Sequence, residues 1–182
     1  MKTIGVLGGI GPQATMDFEA RIHMVSQQLI PRHGNSGYPP MVAYYYRHAP
    51  ILLNDDGSVV LPIQPDPRIF EVAKKLGACA DFLVITANAP HLMQEMIEEV
   101  SGRKVVSMIE ETLKEVSRRG WKKVGVVGLG EPIVYLAPLK EQGTAFECIS
   151  QELSAKLDQA ILRLMAGQEG TLVQPRGSSA GV

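Results

Sequence analysis

The chain has 182 residues, of which 45% are hydrophobic and 20% charged, enough to build a buried core and far from the low-hydrophobicity, high-charge signature of disorder. Eighteen Lys and Arg against nineteen Asp and Glu leave a net charge of −1, so no global basic field draws nucleic acid or an anionic membrane surface. The length suits one domain of ordinary size or two small lobes.

Short β-branched runs alternate with longer stretches of helical period, the pattern of βα units around a parallel sheet. Residues 3–7 are the first predicted strand; the apolar opening is too short and too soon broken by Gly5 for a signal sequence or membrane span. A glycine loop leads into a helix over 12–29, which carries Asp17 and His23. Residues 31–40, with His33, read as a loop, and 41–46 as a strand ending in Tyr44-Tyr45-Tyr46, followed by Arg47 and His48. The stretch 49–67 is rich in Pro, Asn and Asp, and its Asp55-Asp56-Gly57 reads equally as part of a functional loop or as a plain turn between short strands.

Further along, helices are predicted over 67–76, 91–100, 108–119, 132–142 and 150–166, with strands over 81–86, 104–106 and 123–128 between them. Three helix starts carry a proline, whose missing N–H costs nothing in the first turn. Residues 168–182 have no periodicity and are expected to form a disordered tail. Cys79 and Cys148 lie far apart and form no CxxC pair, so a disulfide framework or zinc knuckle is not indicated, and a reduced, cytoplasmic setting is expected.

Gly8-Gly9-Ile10-Gly11-Pro12-Gln13-Ala14 joins a predicted strand to a predicted helix, where converging N–H groups and the positive end of the helix dipole suit a carboxylate or phosphate. A tight strand-to-helix turn without a ligand is the plainer alternative. Gly9, Gly11 and Ala14 also match the dinucleotide fingerprint G-x-G-x-x-A. That fingerprint needs an acidic residue about 20 positions on, near the end of the second strand, where this chain has tyrosines and Arg47.

The opening KTIGVLGGIGPQATMDF, with GACADFLVITANAPH and SMIEETLKEV, closely resembles the aspartate/glutamate racemase family, including the aspartate racemases. The resemblance implies an α/β fold of two similar lobes with mainly parallel sheets flanked by helices, and a substrate between them at the carboxyl ends of the strands. It implies a first lobe over 1–102 and a partial second lobe over 103–167. The implied reaction is cofactor-independent removal of the α-proton of an acidic amino acid from one face and return to the other. In the family a pair of cysteine thiols, tunable towards neutrality, serves as the two bases.

This chain departs from that pattern at the reacting groups. Ala87 stands where the family's Cys-Asn-Thr-x-His motif has its first cysteine, and Ala89 lacks the hydroxyl of the family's threonine. Thr86 is a poor substitute, since neighbouring strand side chains point to opposite faces. Asn88 and His91 persist as site residues; an N-cap is the alternative reading of Asn88, and His91 is read as a first-turn residue bordering the cleft. In the second lobe the family's glycine- or threonine-rich loop is replaced by Gly128-Leu129-Gly130-Glu131, where Glu131 would repel an acidic substrate if it faced the cleft. Met165 aligns with a family lysine, the sequence stops before the family's Gly-Cys-Thr-Glu motif, and Cys148 does not align with the cysteine in it.

Other polar residues are weaker candidates. Arg47 offers bidentate donation to a carboxylate, with pairing to a nearby acid as the alternative. His48 lies at a strand end, where parallel-sheet sites form. Glu110 and Glu111 diverge by about 100° around a helix, which suits a helix start better than a paired acid/base site. No constellation has the spacing of a metal centre or a Ser-His-Asp triad.

The expected site therefore comprises Ala87 and Thr86 at the first catalytic position, with Gly8, Gly9, Ile10, Gly11, Arg47, Asn88, Ala89 and His91 binding substrate. No metal or cofactor is expected. The expected ligand is a small acidic amino acid or similar carboxylate, without nucleic acid or membrane. Amino-acid racemisation is the implied activity; the alternatives are an inactive family member that binds a carboxylate or a partner chain, and a nucleotide-dependent Rossmann-type enzyme. An incomplete second lobe would expose an unpaired strand edge, predicting lower stability or association with a partner such as a second copy.

Overall fold

Ile4, Val6 and Leu7 have nowhere polar to go, and in a computed structural model of the chain they lie in the most deeply buried strand. The structure describes residues 1–31, 37–56 and 58–168; His33, Gly57 and the expected tail from 169 onward lie outside the described residues. Strand β1 (Ile4–Gly8) is buried at every position because it pairs with β2 (Met41–Tyr45) on one side and β3 (Phe82–Ile85) on the other. A short β4 (Val105–Val106) joins β3, giving a parallel sheet in the order β2-β1-β3-β4.

Helix α1 (Pro12–Leu29) follows β1 and α2 (Arg68–Gly77) precedes β3. Between β3 and β4 run a 3₁₀ turn over Ala89–Met93 and helix α3 (Gln94–Ser101). The chain continues through α4 (Met108–Arg118), β5 (Lys123–Val126), α5 (Ile133–Glu141), β6 (Ala145–Cys148) and α6 (Gln151–Met165). Strands β5 and β6 pair in parallel as a second sheet. The fold is thus α/β, with parallel sheets flanked by helices.

Each sheet has its own core. Around the first, Leu7, Ile69, Leu76, Leu83, Ile85 and Ile97 are almost fully buried, and each contributes about 1.5–3 kcal/mol of burial free energy. The second core joins Ile109, Leu113 and Val116 of α4 to Val126 and Leu139, with Val124 and Phe146 packed against them.

Three sequence expectations are corrected. The strand expected over 104–106 was assigned with 103–167, yet β4 pairs with β3, so the first sheet runs past residue 102. The helix expected over 91–100 splits into a 3₁₀ turn and α3, with Pro90 near the start of the turn. Strand β6 was not expected, because Ala145-Phe146-Glu147-Cys148 is short and lacks β-branched residues; pairing with β5 makes it a strand. Of the expected Asp55-Asp56-Gly57 turn, Asp55 and Asp56 form a turn between the antiparallel bridges Ile51–Pro65 and Leu53–Val59, with Asp56 accepting from Ser58 N (2.9 Å).

Helices α2 and α3 pack at one close approach. A Cβ on Gly77 would lie 2.1 Å from the Ser101 carbonyl oxygen, a backbone atom that cannot swing aside. Gly77→Ala should therefore cost about 1–3 kcal/mol, read as a lower urea midpoint. Gly125→Ala, which meets nothing within 4 Å, should stay within about 0.5 kcal/mol of the parent.

Candidate functional site

Parallel strands deliver their loops to one edge of a sheet, and in open α/β folds that edge is where ligands sit. Here the ends of β1, β2 and β3 are tied together by hydrogen bonds: Tyr46 N donates to Gly8 O (2.7 Å), and Thr86 N to Leu7 O (3.2 Å). Beneath the glycine loop, fully buried Thr15 accepts from Gly9 N (2.8 Å), and its Oγ1 shares a 2.8 Å hydrogen bond with Thr86 Oγ1. Gly9 has φ +77°, and a Cβ there would strike Tyr45 Cα at 2.4 Å, so this corner accepts only glycine.

These bonds change the expected use of the loop. Gly9 spends its N–H on Thr15, and Gly8 spends its carbonyl on Tyr46. Among the described residues, the N–H groups of Ile10 and Gly11 take no acceptor, and Gly11 caps α1 without a side-chain hydrogen bond. An anion at this point would meet those amides and the positive end of α1. Thr86, the weak catalytic substitute, is buried with its hydroxyl engaged by Thr15.

After β3 the chain turns through Ala87, Asn88, Ala89, Pro90 and His91. Ala87, half-buried, offers only a methyl group, and Ala89 opens the 3₁₀ turn. His91 Nδ1 lies 2.9 Å from Ala87 O and 3.2 Å from Asn88 O; both are acceptors, so Nδ1 carries the proton. The other nitrogen, Nε2, is buried without a partner, and burial lowers the His91 pKa, which keeps the imidazole neutral. Asn88 does not act as an N-cap. Its own backbone is helical (φ −72°, ψ −54°), whereas a cap needs an extended one. Its Oδ1 instead accepts from Tyr135 Oη (3.2 Å), carried by α5 beside the second sheet.

At the end of β2 the tyrosines diverge. Tyr45 reaches Glu19 on α1 (3.3 Å), and Arg47 lies over the Tyr45 ring, 4.9 Å from its centroid. Arg47 forms no ion pair among the described residues, so the guanidinium is stacked but uncompensated. Tyr46 turns inward beside Asp66 and Arg68, and burial pushes its phenol up to about 12. Asp66 is held down at about 2, chiefly by hydrogen bonds from the Arg68 guanidinium. His48 packs edge-on against Tyr46.

The remaining candidates are engaged elsewhere. Asp17 pairs with Arg21, Glu111 with Lys114, and Glu110 accepts from Gln94 Nε2 (3.3 Å), while His23 Nδ1 meets Glu19 O. Glu131 is exposed; next to it, Gly130 N donates to Asp158 Oδ1 of α6 (2.9 Å). The last turn of α6 stands beside the glycine loop, since Gln13 Nε2 donates to Leu164 O (3.0 Å), and Met165 there adds no charge. Cys79 and Cys148 are exposed and free, and Cys148 ends β6 in the second sheet, whereas Ala87 follows β3 of the first. Among the described residues no group of three or more His, Cys, Asp or Glu side chains could hold a metal, and no helix is long and apolar enough to cross a membrane.

Residues 7–174 match the family described as Asp/Glu/hydantoin racemase. The chain belongs to that family. Over 154 residues it is 28% identical to the broad specificity amino-acid racemase RacX of Bacillus subtilis (strain 168), covering 77% of this chain and 61% of that protein, so it spans less than two thirds of that relative's length. The fold is similar to the crystal structure of an aspartate racemase homologue from Pyrococcus horikoshii OT3, with TM-score 0.69 and 24% identity across 92% of this chain and 73% of that one. It is also similar to the Picrophilus torridus aspartate racemase, with TM-score 0.66 and 16% identity across 92% of this chain and 74% of that one.

For this racemase-family chain, sequence reasoning did not single out Thr15 or Tyr135. Thr15 lies four residues after Gly11, hence one helical turn inside α1 and facing back under the loop, a signal that spacing alone could have supplied. Tyr135 gave none, since its partner is 47 residues away.

Thr15→Val should lower stability by about 1–3 kcal/mol, because the Gly9 amide is left buried without an acceptor; thermal denaturation at neutral pH reads this. His91 sets a pH dependence. Its folded pKa lies below the unfolded value of about 6.5, so its contribution is complete above that value and is lost as pH falls from there towards the folded pKa. Melting temperature should therefore drop between pH 7 and pH 5, and His91→Gln should flatten that part of the profile.

Proposed function

We propose that this racemase-family protein binds a small acidic amino acid or similar carboxylate at the ends of β1–β3, and that Ala87 deprives it of the proton acceptor on the β3 side. One observation carries the reading: the Thr15-tied glycine loop leaves the Ile10 and Gly11 amides at the start of α1 beside the Asn88 turn. Uncompensated Arg47 at the neighbouring strand end supplies a cation for a second carboxylate. Two unpaired cysteines suit a cytoplasmic setting.

Racemisation without a cofactor breaks the Cα–H bond, leaves the electron pair on carbon and passes the proton to a base. A second group on the opposite face then returns a proton to that carbon. The resemblance assigns both tasks to thiols. Position 87 holds a methyl group, the Thr86 hydroxyl is engaged, and Cys148 belongs to the other sheet. We therefore infer binding of the family's substrate class without inversion by this chain.

Titration calorimetry with D- and L-aspartate and glutamate tests the binding. At least one should bind, and Arg47→Ala should weaken it by roughly 10-fold or more, the range for a hydrogen bond to a charged group; if none binds, the reading fails. Chemistry is read separately by deuterium wash-in at Cα. The parent should show no exchange above buffer. Ala87→Cys restores a thiol on the β3 side, so it should exchange Cα deuterium into at least one enantiomer above the parent. Exchange by the parent would overturn the inference about Ala87.

A further inference from the structure

Tyr135 reaches across from the second sheet to the turn that follows β3. Its side chain is half-buried in the first turn of α5, and its hydroxyl oxygen lies 3.2 Å from Asn88 Oδ1. An amide oxygen can only accept, so the tyrosine donates. Burial raises the pKa of this phenol above its ordinary value, so the donated proton stays in place at neutral pH. The bond takes up the oxygen end of the Asn88 side chain. Among the described residues the Nδ2 end takes no acceptor and Asn88 is exposed.

An asparagine side chain has two ends of opposite polarity and turns over easily. A carboxylate approaching the oxygen end is repelled; one approaching the nitrogen end gains up to two donors. We propose that Tyr135 is a positioning residue for the carboxylate site: by holding Asn88 Oδ1, it presents the Asn88 Nδ2–H₂ group to the ligand. The inference rests on the proposed function and deepens it, because it gives the second sheet a part in binding although its reacting group is not needed. It also couples the approach of α5 to the 3₁₀ turn with the orientation of one donor in the first sheet.

The test is a double-mutant cycle on ligand affinity, using full-length protein and D- and L-aspartate and glutamate as probes. Tyr135→Phe keeps the ring and removes only the hydroxyl. It should weaken binding about three- to tenfold, the worth of one net hydrogen bond, while the melting temperature of the unliganded protein changes little. Asn88→Ala should weaken binding at least as much, and the double variant should bind like Asn88→Ala alone, because Tyr135 acts only through Asn88. A purely structural role predicts additive losses instead, and additive losses overturn the inference. If Tyr135→Phe binds like the parent while Asn88→Ala and Arg47→Ala bind weakly, the Tyr135 role falls and the carboxylate site stands. If the parent binds none of the four amino acids, the site itself falls, and this role with it.

Discussion

The hydroxyl of Thr15 is the small group around which the strand ends are arranged. It accepts the N–H of Gly9 in a corner that has no room for a Cβ, and it meets the Thr86 hydroxyl at the end of the neighbouring strand. Two loops that are distant in sequence are thus registered against each other by a buried polar contact inside an otherwise apolar layer. Such a contact is worth little as a net hydrogen bond, but leaving the amide unpaired there would be costly. The same contact decides which backbone amides remain for a ligand: Gly9 is consumed, whereas Ile10 and Gly11 are not.

Around that point the molecule divides its apolar side chains between two cores, one under the four-stranded sheet and one under the two-stranded sheet. The hydrogen bond between Tyr135 and Asn88 crosses from one to the other, and the Gln13–Leu164 bond brings the last turn of α6 beside the start of α1. Both crossings converge near the glycine loop and the 87–91 turn. Packing against the second sheet therefore bears on the turn and helix start that carry the proposed carboxylate site, whose backbone donors come from the first.

Family membership and local chemistry point in different directions at one position. The scaffold is that of the Asp/Glu/hydantoin racemase family, and the glycine loop, Asn88 and His91 are the positions that the resemblance implies for the site. The resemblance sets Ala87 at the position of the family's first cysteine, and the methyl group there has no ionisable proton. Proton transfer needs a titratable group within reach, and scaffold geometry does not supply one. Binding of a carboxylate needs only donors and positive potential, and in the proposed reading the Ile10 and Gly11 amides at the start of α1 supply both.

Much of the fold was legible in the residues. Short β-branched runs and helical period marked β1, β2, β3 and β5 and helices α1, α2, α4, α5 and α6; in α2 and α4 the period follows the buried face. Strand β6 and the placement of β4 were not legible, since two- and four-residue strands take their identity from a pairing partner. The glycine loop and the 87–91 turn could be found by motif, and the missing thiol could be read directly. The engaged Gly9 amide, the bond between Tyr135 and Asn88, the buried Nε2 of His91 and the stacked Arg47 could not. The residues alone determined which groups are present, with a methyl group and no thiol at position 87, because composition and local period are properties of the chain. Only the tertiary structure decided which donors are already spent and which take no partner among the described residues, because that depends on contacts between residues far apart in the chain, 71 positions for Thr15 and Thr86 and 47 for Tyr135 and Asn88.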